Sequence, residues 1–375
     1  MKYLHLKSRL PCIIFIILFS CIILSCTKEE PVKIGYAGGL TGRIAGLGIA
    51  GRDGVMLAVE EINRTGGING RPVKLLVKDD KQDAKVAVKV DEELIAEGAA
   101  AIIGHMTSSM SMKGVQVANN KKVLMMSPTT STNELTGIDD YFFRIYPASA
   151  LAAKRLAEHV FNNMGHKRVT VIYDIRNRAH TESWYFSFKK AFEANGGAII
   201  AAETYTSGPD TRFMEMARKV SARDTDCLFI LANAMDTAML SQQLAKIGST
   251  LPIVTSEWSA TGDVLEYGGK TVEGMTFFHT FDKANQNPRF LKFRETFNKR
   301  FGYEAGFASA HAYDSAQVLF RALGKNDDPT MLRETIKDIG AFQGLQGELT
   351  FDQFGDVKRQ HILMTIQDGQ FKAMK

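Results

Sequence analysis

Short apolar runs alternate with amphipathic segments along the chain from about residue 30 onward. A run of about four to eight apolar residues is typical of a buried strand, whereas apolar residues three and four apart indicate one face of a helix. Residues 32–37 form the first such run, and Val55, Ala58 and Ile62 lie on one face of a helix predicted over 48–64. Regular alternation of the two patterns predicts the α/β class, with parallel sheets covered by helices.

The alternation begins afresh after residues 144–147, which predicts a second α/β unit of similar size. About 350 residues follow residue 26, which is too many for one ordinary core and suits two domains. Further strands are predicted at 73–77, 99–103, 123–126, 169–173, 198–201, 227–231, 252–255, 275–278, 347–351 and 361–366, and further helices around 87–94 and at 149–164, 181–195, 213–221, 236–247, 288–301, 307–323 and 329–339.

Two polar loops, 106–110 and 127–131, each follow a predicted strand and precede a segment that can be helical. Hydroxyls and free backbone N–H groups at strand ends and helix starts can receive a small anion. In an open parallel sheet such loops meet at the edge where ligands bind. The alternative is that these Ser and Thr residues only cap helices, and Ser131 followed by Glu134 fits a capping box.

The first 26 residues fit an export signal. Three basic residues and no acidic one precede an apolar run over 12–24, which is too short to span a bilayer comfortably. The run ends in Leu24-Ser25-Cys26, which resembles a bacterial lipoprotein box, so we expect residues 1–26 to be a signal peptide and Cys26 to be lipidated. A similar box ends at Cys21, and a plain signal peptide or signal anchor is the alternative.

Loss of this leader changes the composition of what remains. Three of the four cysteines lie in it, which leaves Cys227 in the apolar run 227–230, where we expect a core residue with no intramolecular disulfide. Three basic residues also lie in it, so the formal net charge falls from +5 to +2. A nearly neutral chain without a basic cluster does not suit nucleic acid as a partner.

The ordered motifs of the mature chain resemble those of the type I periplasmic binding proteins of the leucine/isoleucine/valine-binding class, which serve ABC importers. The likeness covers nearly all of the mature chain and rests on Lys33-Ile34-Gly35, Leu40-Thr41-Gly42, Glu60-Glu61-Ile62-Asn63, Gly66-Gly67-Ile68-Asn69-Gly70, Asp79-Asp80, Ile103-Gly104-His105, Ser108-Ser109, Ser127-Pro128, Asn133-Glu134-Leu135, Ala312-Tyr313-Asp314-Ser315-Ala316, Gly347 and Thr350-Phe351-Asp352.

This resemblance implies two similar Rossmann-like lobes that are joined by a three-crossing hinge and hold a ligand between them. The crossings are expected near Pro147, Thr280 and Asp352. Lobe 1 is then 27–147 plus 281–352, and lobe 2 is 148–280 plus 353–375. Such crossings allow the lobes to close around a ligand.

The resemblance also implies a site for the two charged ends of an α-amino acid. Its carboxylate is expected on lobe 1, and its ammonium is expected at Glu257 on lobe 2. A buried carboxylate needs several N–H and O–H donors, and a buried ammonium needs a counter-charge. The residues expected around the carboxylate are Ser108, Thr129 and Ser131, with Thr107 and Thr130 as close neighbours.

Other predicted ligand-binding positions depart from the resemblance, which implies aromatic residues there. His180 stands near one aromatic position with a longer spacing, Ala234 leaves room at a second, and Leu47 replaces a third. Phe307 is predicted to line the pocket, although a core role fits it as well. The resemblance implies a branched-chain or similar apolar amino acid as the ligand, and these departures keep an amide, urea or an aromatic acid open as alternatives.

No enzymatic motif outweighs this interpretation. The glycines at 46, 48 and 51 match GxGxxG, but the preceding strand ends near Ala37, about nine residues too early for an NAD-dependent enzyme, so we interpret them as turn and close-packing residues. The histidines are scattered singly, and we expect His105 to satisfy local backbone groups. We therefore expect no cofactor or metal. The predicted partner is an ABC permease, with a sensory receptor of the same fold as the alternative.

Overall fold

The computed structural model describes residues 30–374, so the predicted signal peptide and Cys26 lie outside the described residues. The first sheet has five parallel strands in the order β2-β1-β3-β4-β5. Its strands are β1 (Val32–Gly38), β2 (Val73–Asp79), β3 (Ala101–Ile103), β4 (Leu124–Ser127) and β5 (Phe142–Arg144). The helices packed with it are α1 (Ala45–Arg64), α2 (Ala84–Ala96) and α3 (Ser108–Lys121).

The second sheet has seven strands in the order β15-β14-β10-β9-β8-β6-β7. Its strands are β6 (Arg168–Asp174), β7 (Ala198–Tyr205), β8 (Cys227–Leu231), β9 (Ile253–Thr255), β10 (Thr276–His279), β14 (Ile362–Gln367) and β15 (Gln370–Ala373). Its helices are α4 (Ala150–Glu158), which continues as a π-helical turn over His159–Asn163, α5 (Arg178–Ala194), α6 (Phe213–Ser221), α7 (Ala234–Lys246) and α8 (Gly262–Gly268).

Three more helices complete the first lobe: α9 (Pro288–Phe301), α10 (Phe307–Lys325) and α11 (Leu332–Ile339). A small antiparallel sheet contains β11 (Ala341–Gly344), β12 (Gly347–Phe351) and β13 (Val357–Lys358). In the first lobe, one core packs α1 and the three late helices against one face of the sheet, and a second core packs α2 and α3 against the other. The predicted α/β class with two parallel-sheet lobes is confirmed.

The chain passes between the two main sheets three times, after β5, after β10 and before β14. Because β13 pairs with β12, the third passage follows Lys358 and not Asp352. The lobe boundaries given above otherwise stay a prediction. None of the helices within residues 30–374 is long and apolar enough to cross a membrane.

The glycine motif at the start of α1 serves close packing, as predicted. A Cβ on Gly48 would fall 1.9 Å from the carbonyl oxygen of Gly39. The Tyr36 hydroxyl donates to the Gly48 carbonyl oxygen at 2.6 Å, which holds α1 against β1. Cys227 is also as predicted, since it is a free, fully buried cysteine in β8.

Candidate functional site

The two polar loops of lobe 1 lie side by side because their strands do. β3 pairs with β4 in parallel, so both loops leave the same edge of the sheet. The Thr129 hydroxyl donates to the Met106 carbonyl oxygen at 2.7 Å, and the Ser131 N–H donates to Ser108 Oγ at 3.3 Å. These bonds hold the loops together with their hydroxyls in one small region.

The first loop begins α3. Thr107 is the N-cap residue of this helix, but its hydroxyl makes no capping hydrogen bond. The hydroxyl is buried and has no hydrogen-bond partner among the described residues. A buried hydroxyl at a helix N-terminus, where the helix dipole is positive, can donate to an anion.

The capping-box prediction for Ser131 is wrong. Thr132 is the N-cap residue instead, and its hydroxyl accepts from the Glu134 N–H at 3.3 Å. The element that it caps is a single 3₁₀ turn, Asn133–Leu135, and not an α-helix. The backbone enters this turn one residue later than the sequence pattern indicates, which leaves the Ser131 hydroxyl free to reach the other lobe.

On lobe 2, β9 leads into the 3₁₀ turn Glu257–Ser259. Glu257 is 3% exposed, and the Ser131 hydroxyl donates to its Oε1 at 2.9 Å. Its other oxygen, Oε2, makes no hydrogen bond of ordinary length among the described residues, although the buried indole N–H of Trp184, which also lacks a partner, acts on this carboxyl. Burial raises the pKa of this carboxyl to about 7, against the opposing effects of the Ser131 hydroxyl and the Trp184 indole, which lower it.

His180 completes this contact between the lobes. It lies in the first turn of α5, and its Nδ1 is 3.0 Å from Ser131 Oγ while its Nε2 is 3.1 Å from Ser256 Oγ. Since Ser131 donates its proton to Glu257, its oxygen accepts from Nδ1–H, and Nε2 accepts from the Ser256 hydroxyl. Burial lowers the pKa of His180 to about 3, so the ring is neutral and gives Glu257 no counter-charge.

Beside these groups a crevice opens between the lobes, and its space, with the part that is open to solvent, is about 250 Å³. Hydroxyl, amide and carboxyl groups form one part of its wall, and apolar side chains form the rest. The lining residues are Leu47, Met106, Thr107, Ser108, Thr129, Asn177, His180, Glu257, Trp258 and Phe307. We call this space the central pocket.

Three of the predicted site residues do not line the central pocket. The Thr130 hydroxyl turns behind the loop, where it lies 2.6 Å from Ser111 Oγ and 2.8 Å from Ser127 Oγ. Ala234 begins α7 and lines a separate crevice, together with Arg43 and Asn233. Ser131 is not part of the pocket lining and lies beside it, bonded to Glu257 and His180.

Sequence reasoning did not identify Asn177 as a site residue. Its side-chain oxygen accepts from the Ser109 N–H at 3.0 Å, which joins α3 of lobe 1 to the turn before α5 of lobe 2. The Ser109 hydroxyl in turn accepts from the Ala179 N–H at 3.1 Å. The signal was present in the long polar stretch 175–180, because an Asn just before a helix is a good capping residue with a side chain that can reach outward.

Further bonds between the lobes lie on both sides of the pocket. Arg43 of lobe 1 pairs with Asp236 of lobe 2 at 3.0 Å, and the Tyr205 hydroxyl donates to the same carboxylate at 3.0 Å. The Asn133 N–H donates to Ser183 Oγ at 3.1 Å. The structure therefore shows the two lobes in direct contact, with the pocket between them.

The prediction that His105 satisfies local backbone groups is wrong for its side chain, which contacts two carboxylates instead. Nδ1 is 2.7 Å from Asp80 and Nε2 is 3.0 Å from Asp91, and all three groups are fully buried. Although burial acts to lower the pKa of His105, the two carboxylates together raise it to about 10, so the ring is an imidazolium. Its carbonyl oxygen accepts from the hydroxyls of Ser111 and Ser127, so this residue supports both polar loops from behind.

Within residues 30–374, no group of three or more His, Cys, Asp and Glu side chains is placed to hold a metal ion. The pocket offers hydroxyl and amide donors and one carboxylate acceptor, a set that suits an organic solute with a negative and a positive end.

Comparison with known proteins gives the same architecture. The family model described as "Periplasmic binding protein" matches residues 31–370. A Leu/Ile/Val-binding protein homolog from Brucella melitensis is 25% identical over 331 residues, which are 87% of this chain and 88% of that protein. A leucine-, isoleucine-, valine-, threonine- and alanine-binding protein from Pseudomonas aeruginosa is 24% identical over 88% of both chains.

Among solved structures, the branched-chain amino acid transporter substrate binding protein LivJ from Streptococcus pneumoniae, in complex with isoleucine, has a TM-score of 0.85 at 23% identity. The match covers 92% of this chain and 98% of that one. A solute binding protein from Rhodopseudomonas palustris in complex with benzoate has a TM-score of 0.84 at 18% identity, over 92% of this chain and 96% of that one. Because the family model matches nearly all of the described residues, the chain belongs to the periplasmic binding protein family, and its fold is the type I fold.

Proposed function

We propose that this protein is an exported, lipid-anchored solute receptor that captures an apolar amino acid, branched-chain or similar, and delivers it to an ABC importer. The observation that carries the proposal is the pairing across the cleft, where Ser131 Oγ of lobe 1 is 2.9 Å from Glu257 Oε1 of lobe 2. One wall offers uncharged donors and the other offers a buried acid, which is the polarity that a zwitterion requires.

The carboxylate of the ligand is assigned to lobe 1. Thr107 offers a buried hydroxyl without a partner, and Ser108 lies beside it at the N-terminus of α3. Ser131 supplies a backbone N–H that now bonds Ser108 Oγ at 3.3 Å, a long bond that a carboxylate oxygen could replace. Hydrogen bonds from such donors to an ionised carboxylate are about twice as strong as bonds between neutral groups.

The ammonium is assigned to Glu257. Its Oε2 makes no hydrogen bond of ordinary length among the described residues, and the neighbouring His180 is neutral. A bound ammonium would supply the missing positive charge and so restore the carboxylate form that burial disfavours. The acid is therefore the group that we expect to select an amine over other solutes.

The side chain of the ligand is assigned to the apolar part of the wall, formed by Leu47, Met106, Trp258 and Phe307. The names and ligands of the relatives support an amino acid, because the Pseudomonas protein is named for five amino acids and the Streptococcus structure holds isoleucine. The Rhodopseudomonas structure holds benzoate, which has no amine, so the fold by itself does not choose the ligand. Glu257 is the feature of this chain that favours the amino acid.

The membrane anchor is assigned to Cys26, at the end of the predicted signal peptide, and the ABC permease is assigned as the partner of the closed receptor. A sensory receptor of the same fold would bind its ligand in the same way but would pass the closed shape to a signalling protein. A permease and an ATPase encoded beside the gene would favour transport, and a sensor kinase there would favour sensing.

The proposal is tested by a thermal-shift screen of the protein without residues 1–26. The ligands are the apolar amino acids, small amides with urea, and aromatic acids such as benzoate. A ligand at a hundred times its Kd stabilises the folded state by about 2.7 kcal/mol, so a micromolar amino acid should raise Tm clearly. A shift with aromatic acids or amides, and none with any amino acid, would overturn the assignment of the amine to Glu257.

A further inference from the structure

Beside the central pocket lies a second cavity that is larger and mostly apolar. Its space, with the part that is open to solvent, is about 540 Å³, and both lobes contribute to its wall. Lobe 2 supplies Leu265, Phe277, Met364 and Phe371, and the chain that enters lobe 1 supplies Phe281. We call this cavity the apolar chamber. Because both lobes line it, its shape is set by how the lobes close.

Phe307 separates the apolar chamber from the central pocket, since it lines both. It is the first residue of α10 and follows Gly306, whose missing side chain leaves space beside the ring. The edge of His279 meets the Phe307 ring at 4.8 Å between centroids. A second edge contact joins the Phe307 ring to His311 at 6.1 Å between centroids. The ring is therefore a wall held by aromatic packing and not by a hydrogen bond.

Two other spaces adjoin the central pocket, and the charged side chains in their walls are not paired with one another. One shares Leu47 and Trp258 with the pocket but is also lined by Arg43, Asn233 and Asp263. The other shares Phe307 and is also mostly apolar, but its wall contains the carboxyl groups of Asp263, Glu266 and Glu304. The apolar chamber is thus the neighbour that suits a hydrocarbon group. Its charged rim residues, Lys283 and Glu304, pair with each other at 2.6 Å, which leaves no free charge for a charged side chain.

From this geometry we infer that the apolar chamber is the subsite for a large side chain, so that the receptor takes amino acids with long unbranched or aromatic side chains. The inference rests on the proposed function, because the amino and carboxylate groups are taken to lie in the central pocket. Phe307 turns aside as the side chain passes, and the ligand then occupies the path between the two cavities. A side chain of the size of isoleucine ends at Phe307 and leaves the chamber unused.

Calorimetric titration with unbranched 2-amino acids of increasing length, from norvaline to 2-aminooctanoate, tests this inference. Burial of each methylene gains about 0.8 kcal/mol, so Kd should fall about fourfold per added carbon. If norvaline binds but longer members bind more weakly, the chamber is not a subsite and the proposed function stands. If neither this series nor isoleucine binds, the proposed function fails and this inference fails with it.

Leu265 provides a matched pair of variants, because it lines the chamber, is half-buried and is not part of the central pocket. Leu265→Trp fills the chamber, so it should leave the Kd of norvaline within twofold while it removes the gain for 2-aminooctanoate. Leu265→Ala keeps the chamber open and should preserve the dependence on length. An equal loss for short and long ligands in Leu265→Trp would contradict the inference.

Discussion

The two walls of the cleft bury charge in opposite ways. Behind the polar loops of lobe 1, the His105 imidazolium lies between Asp80 and Asp91, so both carboxylates contact a cation inside the lobe. On lobe 2, Glu257 is buried as deeply, but its neighbours Ser131 and His180 are uncharged. Charges that are paired within one lobe stabilise that lobe, whereas a buried charge without a partner is available to a ligand. The difference separates a structural ion group from a candidate recognition group.

The largest expected effect is on stability, from His105→Gln. This change leaves Asp80 and Asp91 buried beside a neutral group, and loss of one member of a buried ion group costs about 3–5 kcal/mol. The pKa of His105 is raised to about 10, so its contribution is fully present below its ordinary pKa and is lost only as pH rises through 10. Urea unfolding at pH 7 measures the loss.

His180→Gln is the matched control, because this histidine is also buried but neutral. Loss of its hydrogen bonds should cost about 1 kcal/mol in the free energy of unfolding. Equal losses in the two variants would show that the carboxylates around His105 do not hold a charged ring.

The next effect is on binding, from Glu257→Gln. Removal of one partner of a buried charge pair costs about 2–5 kcal/mol, so the affinity for isoleucine should fall at least about thirtyfold in calorimetry. The unliganded variant should melt higher than the unmodified protein at pH 8. A buried acid with a raised pKa contributes to stability at low pH and loses that contribution as pH rises through about 7, so the carboxylate destabilises the free receptor at pH 8 by about 3 kcal/mol.

Unchanged affinity in Glu257→Gln would remove the ammonium role of this residue. A lower melting temperature together with weaker binding would show that Glu257 stabilises the folded protein, as the ion group around His105 does. The difference between the two walls of the cleft would then disappear.

A smaller effect is expected from Ser131→Ala on the lobe 1 wall. The Ser131 hydroxyl holds Glu257 in position at 2.9 Å, and loss of a hydrogen bond to a charged group costs about 1–3 kcal/mol, so the affinity for isoleucine should fall by up to that amount. Thr130→Ser is the control, because the neighbouring hydroxyl bonds Ser111 and Ser127 behind the loop and is kept in this variant. Equal affinities in the two variants would show that the bond from Ser131 to Glu257 does not support ligand binding.

The smallest effect is the pH dependence of binding. With the pKa of the Glu257 carboxyl in the free, closed receptor at about 7, the ionised fraction falls about tenfold between pH 8 and pH 6. The affinity for an amino acid should fall by the same factor, with uptake of a proton by the free receptor as pH decreases. Calorimetry in buffers of different ionisation enthalpy checks the proton count. A flat profile from pH 8 to pH 6 would mean that binding does not require the ionised acid.

Much of the fold could be predicted from the order of apolar patterns. The helices α6 and α9 and the strands β8 and β12 begin and end at the residues that the apolar patterns predict. The missed elements are short or depend on pairing, such as the three-residue strand β5 and the hairpin strand β15. The β15 hairpin did carry a local signal, because Asp368 and Gly369 both have positive φ in its two-residue turn.

The sequence by itself determined the class of fold, the two polar loops at one sheet edge and the acid that follows β9, because strand and helix periods and turn residues act over short distances. Only the tertiary structure decided that Ser131 reaches Glu257, 126 positions away along the chain, that Thr130 turns inward and that His105 meets two carboxylates. Those outcomes depend on how the lobes close and on which of two adjacent hydroxyls faces the cleft. Local periodicity does not encode how the lobes close or which hydroxyl faces the cleft. A shift of one residue along the backbone is enough to exchange the positions of the two hydroxyls.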